Sequence, residues 1–173
     1  MNHDMIQKST RTALLLTATL ILQGLRLLIP IPPQVSMFVV GALVNACLVV
    51  AVLTISWRAG VIVACVTPFF AWLEGMLPLP PFIVPVALGN TVYVLLYYVQ
   101  QQWRITNGYA SVVAATVCKT VMLYGSFYML FSFVAFPDAV RHMILFAMSW
   151  PQLWTGFAGG ILGIYLSRRI PTI

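Results

Sequence analysis

The sequence predicts an all-α integral membrane protein, a compact bundle of six transmembrane helices, and two observations carry this prediction. Six apolar stretches, separated by short loops, fill almost all of the 173 residues. Hydrophobic residues make up 61% of the chain and charged residues only 7%, which is too little charge to cover the surface of a water-soluble domain of this size. The apolar runs are continuous, whereas strands of a membrane barrel alternate in polarity, so helices are expected.

A helix needs roughly 20 apolar residues to cross the ~30 Å hydrocarbon core of a bilayer, and each stretch meets this requirement. The fifth is the longest, so it is expected to tilt or to protrude. In the sixth, pairs of glycines four residues apart would allow close helix contact, within the bundle or against a partner. The predicted spans form a single transmembrane domain over residues 1–173 and are, in order, 12–29, 37–56, 59–77, 82–99, 109–135 and 143–166.

The loops on the two sides of the predicted bundle differ in composition, and this difference predicts the orientation. Basic residues concentrate on the side of both termini, which the positive-inside rule places in the cytoplasm, giving an N-in/C-in topology. Prolines concentrate in the loops of the other side, where they either end the helices or stiffen lids over an outward-facing pocket. The basic residues of the first side are Lys8, Arg11, Arg58, Arg104, Arg168 and Arg169, and the prolines of the second are Pro30, Pro32, Pro33, Pro78, Pro80, Pro81 and Pro137.

Several classes of function are not expected. The sequence contains no nucleophile elbow, no zinc-protease motif and no phosphate-binding glycine loop, so the chain itself is not predicted to be an enzyme. Its three cysteines lie within spans without metal-ligand spacing, and His3 and His142 belong to opposite sides, so neither a metal nor a cofactor is expected. The basic residues form no cluster on a soluble face, which argues against a nucleic-acid partner.

Lys119 is the strongest candidate for a site residue, because ionisable groups are costly in hydrocarbon. It lies ten residues into the fifth span, ~15 Å along the helix at 1.5 Å per residue, too deep for easy snorkelling. It therefore needs a carboxylate, a set of carbonyls or a ligand anion as its partner. Glu74, the only acidic residue within a span, is expected to pair with Lys119 or Arg26, or to accept a hydrogen bond from a ligand.

Further polar and aromatic residues complete the candidate site. Arg26 shares one face of the first span with Gln23 and either lines the pocket or reaches the lipid headgroups. Asn90 lies at mid-depth in the fourth span, and Gln152 stands between Trp150 and Trp154 in the sixth, where an amide flanked by aromatic rings would suit a flat, hydrogen-bonding ligand. For the tryptophans the alternative is the aromatic belt of the membrane interface. The candidate substrate-binding residues are Lys119, Asn90, Gln152, Trp150, Glu74 and Arg26.

Taken together, the chain resembles the substrate-binding S-components of energy-coupling factor (ECF) transporters, the vitamin-uptake family of bacteria. The resemblance covers nearly the whole chain, in its length, its six-span plan and a set of segments. These segments are Arg11-Thr12-Ala13, Leu25-Arg26-Leu27-Leu28-Ile29-Pro30, Gly41-Ala42-Leu43-Val44-Asn45-Ala46, Thr67-Pro68, Pro85 to Gly89-Asn90, and Gln152-Leu153-Trp154-Thr155-Gly156 to Gly159-Gly160.

This resemblance implies a protein in the bacterial plasma membrane that captures a small-molecule micronutrient outside. It would deliver that substrate inward by toppling within a complex of the transmembrane coupling subunit EcfT and two ECF ATPases. Small residues of the first helix contact the coupling subunit in this family, and the matching positions here are Ala13 and Thr17. The alternative is a cell-shape scaffold resembling the MreD family, which has similar length and span count but needs no ligand pocket.

Overall fold

The computed structural model describes residues 3–28 and 32–170, which form α-helices joined by short connections. No strand occurs in this part of the chain, and the predicted all-helical class is confirmed. The predicted end of the first span at Ile29, and Pro30 in the loop that follows, lie outside the described residues. The elements are α1 (His3–Leu28), α2 (Pro33–Thr54), α3 (Trp57–Leu73), a one-turn 3-10 helix (Pro80–Phe82), α4 (Ile83–Gln102), α5 (Gly108–Phe133), α6 (Asp138–Ala147) and α7 (Trp150–Ser167).

Within residues 3–28 and 32–170, four helical segments are long and apolar enough to cross a membrane. They are His3–Leu28, Val35–Thr54, Pro80–Gln102 and Gly108–Phe133, and they correspond to the first, second, fourth and fifth predicted spans. Helix α3 corresponds to the third and is a shorter apolar helix. Its 17 residues extend ~26 Å at 1.5 Å per residue.

The first helix begins earlier than predicted. Helix α1 starts at His3, whereas the apolar run that defined the predicted span starts at residue 12. The polar residues between them continue the same helix. The negative charge of Asp4 in the first turn stabilises this helix end, because it lies at the positive end of the helix dipole. A run of apolar residues predicts only the part of a helix that contacts hydrocarbon. It therefore does not predict a polar extension of the same helix.

The sixth predicted span is not one helix. Two helices, α6 and α7, replace the expected continuous span over 143–166, so the described residues contain seven α-helices rather than six. Pro151 accounts for the division, because it lacks an N–H and favours the first turn of a new helix. The side chain of Gln152 supplies a donor near this break, since its Nε2 lies 3.2 Å from the carbonyl oxygen of Ala147.

The helices pack side by side in the order α1, α2, α7, α5, α4 and α3, with α3 returning to α1. The most extensive contact joins α2 to α7, and glycines make it possible. A Cβ added to Gly159 would overlap the carbonyl oxygen of Ala42, and one added to Gly163 would lie 2.7 Å from that of Ala46. Glycines 156 and 160 turn the other way, towards α5. The predicted small-residue spacing therefore serves packing within the bundle.

Two apolar cores fill the bundle at different heights. We name its ends by one residue each: α1, α3 and α5 finish at the Arg26 end, and α4 finishes at the Arg104 end. The core nearer the Arg104 end surrounds Tyr93 and Tyr97. The core nearer the Arg26 end contains Phe82, Phe127 and Phe131. Among the polar candidate residues, Lys119 and Asn90 lie between these two cores, and Arg26 and Glu74 lie at the Arg26 end of the bundle.

Candidate functional site

Lys119 lies in the centre of the bundle and is hydrogen-bonded to an amide. Its side chain is 3% exposed. Its Nζ donates to Oδ1 of Asn45 on α2 at 2.6 Å and lies 5.4 Å from the centre of the Tyr93 ring on α4. Among the described residues no carboxylate pairs with it. Lys119 therefore joins three helices through one charge-assisted hydrogen bond and one cation–π contact.

The neighbours of Lys119 are themselves held in place by backbone groups. Asn45 Nδ2 donates to the carbonyl oxygen of Gly41 at 2.9 Å, which orients its Oδ1 towards the lysine. The hydroxyl of Tyr93 donates to the carbonyl oxygen of Gly156 on α7 at 3.1 Å. Asn90 lies one turn before Tyr93 on the same buried face of α4. The result is a small polar layer near the middle of the bundle.

A column of apolar side chains separates this polar layer from the Arg26 end. Along α5, Leu123, Phe127 and Phe131 follow Lys119 at four-residue intervals, and all are buried. The ring of Phe82 meets that of Phe127 edge to face, with centroids 5.1 Å apart. Phe136 packs against the same group. We call the rings of Phe82, Phe127, Phe131 and Phe136 the phenylalanine cluster.

Glu74 and Arg26 contact one another at the Arg26 end, but not as a simple ion pair. One Nη of Arg26 donates to the backbone carbonyl oxygen of Glu74 at 2.6 Å. The carboxylate of Glu74 accepts instead from Nε2 of Gln23 at 3.2 Å. Among the described residues, the Glu74 carboxylate therefore forms an ion pair with neither Arg26 nor Lys119. Gln23 and Arg26, on their shared face of α1, both hydrogen-bond Glu74 at the end of α3.

The tryptophans of α7 lie on the outside of the bundle. Trp154 is 63% exposed and Trp150 is 46% exposed. Together with Phe38, which lies 5.8 Å from Trp150 between ring centroids, they border an apolar groove of about 290 Å³ between α2 and α7. Gln152, in contrast, hydrogen-bonds the Ala147 carbonyl. The two tryptophans and Gln152 therefore do not enclose one pocket as the sequence suggested, because both rings lie on the outer surface.

The six candidate residues thus occupy three separate places rather than one cavity. Lys119 and Asn90 belong to the polar layer, Arg26 and Glu74 join α1 to α3, and the Trp150–Gln152 segment begins α7. The sequence reasoning missed the phenylalanine cluster, although Phe127 and Phe131 show the four-residue spacing of one helix face. Asn45 was not among the candidate residues either, although it lies near the middle of the second predicted span.

The face of α1 that carries Ala13 and Thr17 is exposed. Helix α1 buries few of its residues, among them Thr19 and Gln23, which face α2 and α3. Ala13 and Thr17 point away from Thr19 and are exposed. Their small side chains would allow another helix to approach the α1 backbone.

One comparison with known proteins identifies the family. The family model described as "ECF transporter, substrate-specific component" matches residues 7–170. The chain belongs to this family. The match confirms the resemblance drawn from the sequence and selects the transporter component over the MreD-like scaffold.

The family assignment defines the chain as the substrate-specific component of a transporter, not an enzyme in its own right. With several helices able to cross a bilayer, this component is a multi-pass membrane protein. No curated protein matches the chain. No solved structure matches it either.

Proposed function

We propose that this S-component captures a vitamin-like micronutrient outside a bacterial cell and delivers it inward by toppling, together with EcfT and two ECF ATPases. The observation that carries the proposal is the family match over residues 7–170. The sequence contains no phosphate-binding glycine loop, so the energy of ATP hydrolysis has to come from partner subunits.

We place the substrate between α4, α5 and α7, in the half of the bundle nearer the Arg26 end. Lys119 and Asn90 would form the floor, and the phenylalanine cluster would form walls suited to a flat, apolar ring. A substrate acceptor group, such as a carboxylate or a carbonyl, would take the hydrogen bond that Lys119 gives to Asn45. The phenylalanine rings have to separate for the substrate to enter.

The remaining candidate residues would act at the rim of this site. The contact of Arg26 with Glu74 links α1 to the loop after α3, and so holds one side of the opening. Trp150 and Gln152 begin α7 on the other side. Opening would then move the segments 74–82 and 134–149, the second of which includes α6, and their prolines limit how the backbone can bend.

The exposed face of α1 with Ala13 and Thr17 is the proposed contact with EcfT. A helix surface without neighbours in the bundle, lined by small side chains, allows close packing by a partner helix. This contact would involve α1 alone, so the substrate site on α4, α5 and α7 would remain intact while the complex forms.

We propose six spans, the sixth formed by α7, and both termini in the cytoplasm. The basic residues at the Arg104 end support this orientation. Single cysteines placed at Arg58 and Arg104, in a variant lacking the native cysteines, are expected to react only with a membrane-permeant maleimide in intact cells. Reaction with an impermeant maleimide would reverse the orientation.

The function itself is tested by substrate capture. The purified protein is incubated with a mixture of water-soluble vitamins, and native mass spectrometry is expected to show one retained compound. In cells, uptake of that compound should require both the chain and the ECF ATPases. Uptake that persists without the ATPases would show a solitary carrier, and retention of no compound would count against a vitamin-like substrate.

A further inference from the structure

A second polar site lies outside the bundle core, in a groove between α5 and α6. It has a volume of about 590 Å³. Helix α5 contributes Tyr124 and Tyr128 to it, and α6 contributes Asp138, Arg141 and His142. The tyrosines lie on the exposed face of α5, whereas Lys119 and the phenylalanine cluster lie on the buried face. The groove is therefore separate from the proposed substrate site.

The ionisable side chains of the groove share one face of α6 and line its surface. Asp138, Arg141 and His142 stand at positions i, i+3 and i+4, which are neighbours on a helix surface. Arg141 lies over the ring of Tyr128, with Cζ 5.6 Å from the ring centroid. In the described part of the chain, no ion pair within 4.0 Å joins Asp138 to Arg141. A cation and an anion are thus presented side by side.

With the overhang of α5 at the Arg26 end, the groove would lie at the level of the headgroups of a bilayer. Helix α5 has 26 residues. It is therefore ~39 Å long, about 9 Å more than the hydrocarbon core. Tyr128 is five residues from the end of the helix, a distance of ~8 Å. Helix α6 is a short amphipathic helix that buries Ile144 against the phenylalanine cluster and keeps its charges outside, as interfacial helices do.

An exposed apolar stripe runs from the groove towards the middle of the membrane. Its side chains recur every three or four residues, so they line one face of α5. All of them are at least 43% exposed. This stripe gives hydrocarbon chains a surface to lie on, which a soluble phosphate compound would not use. Its members are Val113, Val117, Val121, Tyr124 and Tyr128.

We propose that this groove binds the headgroup of a zwitterionic phospholipid. Arg141 and His142 would hold the phosphate, and Asp138 would accept the ammonium group. One acyl chain would follow the stripe on α5. A purely anionic headgroup fits less well, because Asp138 would face it without a cation to bind.

The test uses native mass spectrometry of the full chain with phosphatidylethanolamine and phosphatidylglycerol of identical acyl chains. Glycerophosphoethanolamine, the same headgroup without chains, separates a lipid from a free phosphate compound. The variants are Arg141→Gln and Asp138→Asn. The matched control is Arg169→Gln, because Arg169 stacks on Tyr165 in the same way, with Cζ 5.8 Å from the ring centroid, but lies at the Arg104 end.

We expect the unmodified chain to bind phosphatidylethanolamine more tightly than phosphatidylglycerol. Arg141→Gln should weaken phosphatidylethanolamine binding about tenfold, through loss of a charge-assisted hydrogen bond to phosphate. Asp138→Asn should weaken it roughly three- to fivefold without weakening phosphatidylglycerol binding. Arg169→Gln should change neither. Gel filtration shows whether each variant is folded, and Asp138→Asn keeps the test decisive where Arg141→Gln fails to fold.

Three results would overturn the proposal. Equal affinity for the two lipids in both the unmodified chain and Asp138→Asn would remove the role of the carboxylate. Equal loss in Arg141→Gln and Arg169→Gln would indicate general surface charge. Binding of glycerophosphoethanolamine as tight as that of the lipid would assign the groove to a soluble phosphate compound.

Discussion

Replacing Lys119 with methionine separates a substrate-binding role from a purely structural one. Methionine keeps much of the length and the apolar stem but removes the ammonium group. In the bundle this group donates to Asn45 Oδ1 at 2.6 Å, and Lys119 as a whole is 3% exposed. If Lys119 passes this hydrogen bond to the substrate, Lys119→Met has to weaken binding while the protein still folds.

The magnitude follows from the type of bond that is lost. A hydrogen bond involving a charged group contributes about 1.5–3 kcal/mol, so the affinity should fall roughly 10- to 150-fold. The free energy of unfolding should change less than the free energy of substrate binding. Methionine removes not only the bond but also the cost of keeping an ammonium in the bundle interior, which amounts to several kcal/mol.

The complementary variant removes the acceptor of this hydrogen bond instead of the donor. Asn45→Ala removes the acceptor and leaves the ammonium of Lys119 buried without it. Loss of a hydrogen bond to a buried charged group costs about 1.5–3 kcal/mol, and the ammonium is left buried without an acceptor, so Asn45→Ala should lower the melting temperature more than Lys119→Met does. The double variant Lys119→Met/Asn45→Ala should recover part of that loss, because it no longer contains a buried ammonium group without an acceptor.

Two measurements check this: calorimetric titration with the substrate that native mass spectrometry identifies, and thermal unfolding in detergent. Lys8→Met is the control, since Lys8 is the other lysine of the chain and is exposed. It should bind and unfold like the unmodified protein. Normal substrate affinity in a folded Lys119→Met protein would refute the proposed role and leave Lys119 as a link between α2 and α5.

The other predictions concern helix surfaces. Ala13→Trp combined with Thr17→Trp should abolish uptake in cells but spare substrate binding by the isolated protein, because the bulky rings block the partner helix. Ala18→Trp, on a neighbouring exposed part of α1, should preserve uptake, and loss of binding in the double variant would instead mean that this face packs internally. Gly159→Ala should destabilise the bundle by about 1–3 kcal/mol or more in thermal unfolding, because its Cβ meets a backbone carbonyl that cannot rotate away. Gly125→Ala, where a Cβ meets nothing within 4 Å, should be neutral or stabilise by up to about 1 kcal/mol, and equal melting temperatures for the two variants would contradict the packing argument.

The sequence identifies polar residues that need a partner within the bundle, but not which partner each of them has. Rarity in hydrocarbon singles out Lys119 and Glu74, because an ionisable group within a span has to be compensated. Their partners depend on how helices rotate about their axes and on which helices become neighbours. Asn45 is 74 positions away from Lys119, and no local pattern connects the two.

The class of the protein, the places of most helices and the family were determined by the sequence itself. These depend on composition, on the length of each apolar run and on residues spread along the whole chain, all of which are local or additive properties. Only the tertiary structure decided that α6 and α7 are separate helices, that the glycines of α7 pack against α2 and α5, and that Lys119 binds Asn45 beneath a cluster of phenylalanines. In a chain this apolar, hydrophobicity does not distinguish the face that meets lipid from the face that meets another helix. The arrangement follows from close contact of side chains and from the need to pair each buried polar group.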